Sequence, residues 1–384
     1  MPTASRRIIE VEATTSFHLK GASIAVLFEA PFGGYLQVVF TARTADYYSK
    51  NSSKRVHVNE GRKSCLLKPE DKMFGFFKSR EILLKAIRAS NHAGKALQFR
   101  GWGRYLIGRM IVDLLLWPSD FLAVRRQYAS LFSRPPKLLC PKTFNEKLQR
   151  EKLFRRRSRQ TIFADKIAVR DYVKQKVGSH VLPKLYWTGT DLRTAPHGIL
   201  PKKFVIKTNQ GSGFNLIVRD AASLDWEAAH KQTQQWLRQD YSVHFAEWQY
   251  RWIKPRVLIE EFLEGPDGGV PLDYKFFCFR GRAEMVQIDF DRFTNHMRAF
   301  YDRNFQLLPF GLQYPRQARI APKPDCFEKM LQLAESLAGP EPFLRVDLYD
   351  IGRPIFGELT LTPEAGLGRF DPPEYDVILG ELMR

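Results

Sequence analysis

The sequence predicts an α+β fold, and two observations predict it. Short apolar runs come as neighbours separated by turn-type sequence, the pattern of antiparallel hairpins. They are residues 204–206 with 215–218, residues 272–280 with 283–289 across Gly281, and residues 343–349 with 356–366 across Asp350-Ile-Gly-Arg-Pro354. Stretches with apolar residues at helical spacing lie between these hairpins instead of alternating with single strands. The charge is also divided by position. Residues 1–160 hold 31 Lys+Arg against 12 Asp+Glu, whereas residues 161–384 hold 29 of each, so the whole formal charge of +19 sits in a basic N-terminal part.

A chain of 384 residues that is 44% hydrophobic has room for two or three domains and a real core. Residues 1–70 alternate apolar and polar stretches. Residues 23–28 and 34–40 read as strands and 50–56 as a polar loop, either a small β module or an extension. Residues 75–160 read as helical and basic. The most hydrophobic run, residues 102–123, is interrupted by Arg104, Arg109, Asp113, Pro118 and Asp120. It reads as an amphipathic helix from Tyr105 to about Leu116, packed in the core or resting on a membrane surface, and not as a span. No secretory signal is expected.

Thr143, with Glu146 three residues on, forms a capping box that opens a helix running through Leu153. Residues 163–173 have helical spacing, with Asp165 as cap and Lys166 at the helix N-terminus, where amides and a lysine together favour an anion. Residues 181–187 read as a strand. Residues 224–251 form one or two amphipathic helices around Trp226, Ala229, Trp236 and Leu237, and residues 324–338 form another.

Three stretches carry chemistry. Along residues 343–349, Arg345 and Asp347 alternate and so share a face, and Glu358 on the returning strand can join them there. Two hard carboxylates beside an arginine suit a magnesium ion that holds a polyphosphate; a surface hairpin with solvated acids is the plain alternative. Lys207 ends a strand, Asn209-Gln-Gly-Ser-Gly213 follows, and a second strand returns. Such a loop can cover phosphates with its N–H groups. It is not the Walker arrangement, because the lysine precedes the loop and no helix follows. In residues 255–266 an apolar strand runs into Glu260 and Glu261, where backbone groups can meet an adenine while one of the acids takes its exocyclic amine. No G-x-S-x-G and no Cys/His pairing stands out, and His296 reads either as a substrate contact or as an ordinary loop histidine. Four cysteines, Cys65, Cys140, Cys278 and Cys326, form no C-x-x-C, which argues for a reducing compartment and against structural zinc.

Residues from about 118 to 384 resemble the ATP-grasp superfamily, and in detail its TupA-like branch. The resemblance is carried in order by Pro141-Lys-Thr-Phe-Asn-Glu-Lys147, Ala164-Asp-Lys-Ile-Ala-Val-Arg170, Phe204-Val-Ile-Lys-Thr-Asn-Gln-Gly-Ser-Gly213, Ile259-Glu-Glu-Phe-Leu263, Asp273-Tyr-Lys-Phe-Phe-Cys-Phe279, Arg345-Val-Asp-Leu348 and Phe356-Gly-Glu-Leu-Thr360. It implies an ATP-grasp fold, two α+β subdomains gripping a nucleotide. Residues 1–100 would be an extension of unknown fold. Residues 101–384 would divide into a helical lead-in (101–160), a lid and nucleotide subdomain (about 161–255) and a C-terminal metal-binding subdomain (about 256–384).

The resemblance places Lys166 and Lys207 on ATP phosphates under a lid of Gly211, Ser212 and Gly213. It places Glu260 with the backbone of Phe262 and Leu263 on adenine, Glu261 beside them, and Asp273 on the ribose with Asp267 as competitor. Asp347 and Glu358 would bind Mg2+. Arg345 would stabilise an acyl-phosphate and, with Lys207, act in catalysis. Two positions depart from the pattern: Thr360 stands where many members have an asparagine or acid, and Gln210 where this branch is expected to have a histidine.

The activity implied is an ADP-forming carboxylate–amine ligase that uses ATP to modify a sugar acid or amino acid in surface-polysaccharide or teichuronopeptide biosynthesis. It would be cytoplasmic and peripheral at the inner membrane face. The basic half suits an anionic polymer or membrane surface, or is simply a basic solvated face. A sugar kinase using the same nucleotide residues is one alternative. Another is an anionic-polymer binding protein with a degenerate nucleotide site, drawing on Phe154, Trp187 and Trp252. No nucleic-acid module is recognisable, and sequence-specific binding is not expected.

Overall fold

A computed structural model describes residues 102–383 except 266–267, 292–294 and 317–320. The chain divides into two units, Met1–Glu81 and Ile82–Arg384, and the described residues belong to the second. The basic N-terminal extension, the strands expected at 23–28 and 34–40, and Asp267 lie outside the described residues.

Helix α1 (Trp102–Phe132) outruns its expected end at Leu116 and passes through Pro118. The proline removes one helical hydrogen bond, but the turns beyond it bury Ser119, Asp120, Val124 and Tyr128. Asp120 there accepts from Arg156 (2.7 Å) and, through both its oxygens, from Arg251 Nη2, while Asp113 takes Arg251 Nη1 at 2.9 Å. Tertiary pairing thus extends the helix past its local break.

The capping box forms at α2 (Phe144–Phe154), with Thr143 and Glu146 each bonding the other's backbone. The same Glu146 carboxylate also takes Arg134 Nη1 (2.6 Å) and the N–H groups of Lys137 and Lys142 (3.1 Å each). α3 (Ser158–Ala164) and α4 (Val169–Val177) follow. α4 begins later than the sequence suggests. Asp165 Oδ1 accepts from the N–H groups of Ile167 and Ala168, closing a turn ahead of the helix, and Lys166 sits in that turn.

The first sheet is antiparallel and four-stranded, in the order β1-β4-β2-β3. β1 (Leu185–Gly189) starts after a 3-10 turn at Ser179–Val181, so the strand lies later than residues 181–187. β2 (Phe204–Thr208) and β3 (Asn215–Val218) form the expected hairpin. α5 (Trp226–Arg238) covers the sheet, and the short α6 (Tyr241–His244) leads to β4 (Val257–Glu261). Phe204, Ile206, Val257 and Ile259 pack with Leu192, Val218 and Ala229 into one cluster.

The second sheet is antiparallel and five-stranded. Its strands are β5 (Asp273–Phe279), β6 (Arg282–Phe290), β7 (Met297–Asp302), β9 (Leu344–Asp350) and β10 (Pro354–Thr360), in the order β10-β9-β5-β6-β7. The short β8 (Gly311–Leu312) and β11 (Phe370–Asp371) pair separately; α7 (Phe327–Ala338) precedes β9, and α8 (Glu374–Leu382) ends the described chain.

One face of this sheet is apolar throughout. Tyr274, Phe276, Val286, Ile288, Val346 and Leu348 pack on Phe327, Met330 and Ala334 of α7 and on Val169 and Val173 of α4. The other face changes character along its length. Phe277, Met285, Phe300 and Phe343 pack on Phe144 and Leu148 of α2 at one end, and charged residues occupy the other.

Candidate active site

The polar end of the five-stranded sheet draws a residue or an i, i+2 pair from every strand: Asp273 and Lys275, Gln287 and Asp289, Arg298, Arg345 and Asp347, Glu358 and Thr360. Strand pairing brings them together. Lys275 lies opposite Asp347 and Gln287, Asp289 opposite Arg298, Glu358 opposite Asp347 and Thr360 opposite Arg345. A bulge at Gly357 interrupts the alternation, so that Phe356 stays on the apolar face and Glu358 comes to this one. A Cβ at Gly357 would stand 3.0 Å from the Asp347 carbonyl oxygen.

Arg345 holds Asp347 through two parallel bonds of 2.7 Å, a bidentate pair. The same Nη2 reaches Glu358 at 3.3 Å and Thr360 Oγ1 at 3.1 Å. Lys275 is ringed by acids. It bonds Asp273, and its Nζ stands 3.5 Å from Asp347 and 3.7 Å from Asp289. Asp289 takes Arg298 Nε at 2.7 Å and the Gln287 amide at 3.1 Å, with His296 Nε2 3.2 Å away.

Burial opposes the Arg345 charge, but Asp347 and Glu358 outweigh it and hold the guanidinium above its ordinary range. Burial pushes the Asp347 carboxyl up to about 6, against the pull of Arg345 and Lys275. Burial would also raise Glu358, but Lys166, Arg345 and Lys275 prevail and hold it near about 2.

The four-stranded sheet contributes less. Lys207 Nζ bonds Glu260 Oε1 at 2.5 Å, and Arg170 Nη1 stands 3.7 Å from Glu260 Oε2. Glu261, on the opposite face, takes the Lys184 N–H at 2.9 Å. Phe262 is buried with Arg219 stacked 5.4 Å from its ring.

Lys166 joins the two sheets electrostatically. Its Nζ donates to the Gly211 carbonyl at 2.5 Å, and burial lowers its pKa while Glu358 and Glu260, one from each sheet, act against that. Gly211 has φ +74° and presses on Phe214 and Tyr241, so a side chain there would meet both strain and collision. Gln210 is buried and donates to the Trp236 carbonyl at 3.2 Å.

The structure therefore gathers Lys166, Lys207, Glu260, Asp273, Arg345, Asp347 and Glu358 along one charged seam. Glu261 points away from Glu260. Lys275, Asp289 and Arg298 are the members that sequence reasoning missed. Asp347 and Glu358 pair directly, and among the described residues no three metal-ligating side chains converge. That donor set fits magnesium, which binds through one or two carboxylates and takes its other ligands from phosphate and water.

A model of the TupA-like ATPgrasp family matches residues 146–384. No curated protein matches the chain. Similar solved structures include an L-amino acid ligase from Bacillus licheniformis, 12% identical over 62% of this chain and 55% of that one, with a TM-score of 0.36. A D-alanine–D-alanine ligase from Bacillus anthracis complexed with ATP is 14% identical over 58% of this chain and 65% of that one, with a TM-score of 0.35. The ATP-grasp ligase PsnB complexed with minimal precursor is 12% identical over 69% of this chain and 66% of that one, with a TM-score of 0.33. The chain thus spans 55% to 66% of the length of these proteins. The family match covers the whole of both sheets and every residue of the seam, and on it the chain belongs to the TupA-like ATP-grasp family.

Proposed function

We propose that the chain is an ATP-dependent carboxylate–amine ligase. The observation that carries this reading is the seam itself, where Lys166 and Lys207 approach from one side and Lys275, Arg345, Asp347 and Glu358 from the other. Phosphoryl transfer asks mainly for charge neutralisation and alignment. Lys166 and Lys207 bind the ATP phosphates, and the N–H groups of residues 211–213 close over them. Glu260 is engaged by Lys207 and Glu261 by Lys184, which leaves the backbone of Phe262 and Leu263 as the open edge for adenine. Asp273 is the candidate for the ribose hydroxyls. A magnesium ion would be held by Asp347 and Glu358 and, when bound, screens triphosphate charge.

The substrate carboxylate attacks the γ-phosphorus and ADP leaves with the bond pair. An amine lone pair then attacks the acyl carbon, the C–O bond to phosphate breaks, phosphate departs with that pair, and the nitrogen releases one proton to solvent and keeps one as the amide N–H. Arg345 fixes both metal-side carboxylates and places its charge beside the acyl-phosphate. Lys275 neutralises the acids behind it.

Calorimetric titration with Mg·ATP tests the reading. Wild type binds, and folded Lys207→Ala and Asp347→Asn bind at least tenfold more weakly. A folded wild type that ignores Mg·ATP overturns it. A panel of sugar acids and amino acids with amines then releases free phosphate; phosphate found covalently on a sugar hydroxyl would identify a kinase instead. The family resemblance further supports a sugar-acid or amino-acid substrate of surface-polysaccharide synthesis, with the basic N-terminal half meeting an anionic polymer or the membrane face. No helix among the described residues is long and apolar enough to cross a membrane. Failure to float with anionic vesicles would remove the membrane contact.

A further inference from the structure

We propose that Glu364 receives the amine of the second substrate, an inference that rests on the ligase reading above. Glu364 lies in the turn Pro363–Gly366, just beyond β10. Its backbone is left-handed (φ 49°, ψ 30°), and so is that of Ala365 (φ 54°, ψ 20°). Two successive non-glycine residues in this region persist only where their surroundings impose it, and such strain gathers at functional sites.

The surroundings here are specific. Buried Gln149 donates to the carbonyls of Ala365 (3.0 Å) and Gly366 (2.7 Å), and buried Lys152 donates to Ala365 (2.9 Å). Thr362, at the start of the turn, donates to the buried Glu247. Three polar side chains withdrawn from water thus hold one strained turn.

The consequence is the direction of the Glu364 side chain. Its Oε1 accepts from Arg298 Nη1 at 2.9 Å, and Arg298 in turn binds Asp289 of the seam. The Tyr241 hydroxyl is pushed up to about 12, first by burial and then by the charges of Glu247, Glu358 and Glu364. The Glu364 side chain stays 26% exposed, and among the described residues only its Oε1 is engaged.

On the five-stranded side of the seam, the acids Asp273, Asp289, Asp347, Glu358 and Glu364 face three permanent cations, Lys275, Arg298 and Arg345. His296 beside Asp289 adds charge only when protonated. The Asp347–Glu358 pair answers to magnesium. At Glu364, a partly exposed carboxylate with an open oxygen takes a donor, and an ammonium offers that donor together with the opposite charge.

Hydroxylamine trapping separates this proposal from the reading beneath it. Hydroxylamine intercepts an acyl-phosphate without needing the amine's own site. With Mg·ATP and a panel of sugar acids and amino acids, wild type and Glu364→Gln, both melting alike, yield the same hydroxamate. With amino sugars and amino acids as acceptors, the amine KM of Glu364→Gln rises at least tenfold while Mg·ATP affinity holds. Equal hydroxamate with an unchanged amine KM overturns the proposal. Hydroxamate lost in Glu364→Gln overturns it too, by placing Glu364 in carboxylate activation. Absence of hydroxamate from wild type with every acid removes the ligase reading and takes the proposal with it.

Discussion

The two sheets meet one seam with opposite constructions. On the four-stranded side, Lys207 and Glu260 form a pair whose side chains are 24% and 10% exposed. On the five-stranded side, Lys275, Asp289, Arg345 and Asp347 are all buried in a shared network. Lys207 is the more exposed partner, and Arg170 stands 3.7 Å from Glu260 to answer its charge when Lys207 turns to a ligand, so this pair is released at lower cost. A buried network resists removal of any member, because the partner left behind keeps its desolvation cost. The contrast separates a side that can yield to a ligand from a side that holds its geometry in advance.

The largest break in that contrast is Asp347→Ala. It strands the Arg345 guanidinium and costs about 3–5 kcal/mol of stability in urea unfolding. Next is Lys152→Met, read through pH. Burial lowers the Lys152 pKa from 10.5 to about 8. Between those values the unfolded chain holds a proton that the folded chain lacks, so stability rises with pH across the window. The full rise is on the order of 3 kcal/mol. Lys152→Met loses that slope, and an unchanged slope would show that Lys152 titrates normally. Gly357→Ala presses a methyl on the Asp347 carbonyl and costs about 1–3 kcal/mol, with the loss visible as a lower urea midpoint. The smallest effect on stability belongs to Lys207→Ala, within about 1 kcal/mol of wild type, even though its nucleotide binding falls at least tenfold. Comparable destabilisation from Lys207→Ala and Asp347→Ala would erase the distinction between the sheets.

Much of the seam was legible because local rules govern it. Period-two alternation put Arg345 and Asp347 on one face, and the turn at 350–354 brought Glu358 back to them. Thr143 and Glu146 announced their helix through spacing alone. The Gly211 loop followed from its two flanking strands. Lys275, Asp289 and Arg298 were hidden because β5 is buried on both faces and β6 and β7 over most of their length, and a charged residue inside an apolar strand looks like an interruption. Their signal was nonetheless present: β5, β6, β9 and β10 each carry a polar i, i+2 pair, and those pairs register across the sheet. The length of α1 was illegible for another reason, since the acids that sustain it beyond Pro118 are answered by Arg156 and Arg251, far along the chain.

The Glu146 carboxylate has a practical consequence for where this protein can be cut. The family match begins at residue 146, yet that residue's carboxylate is tied to Arg134, Lys137, Lys142 and Thr143, all upstream. Arg156 and Arg251, inside the match, are answered by Asp113 and Asp120, also upstream. A fragment starting at 146 would carry a buried acid and two arginines without their partners. The recognisable part of the chain is therefore shorter than its self-sufficient part, and an expression boundary belongs ahead of Asp113.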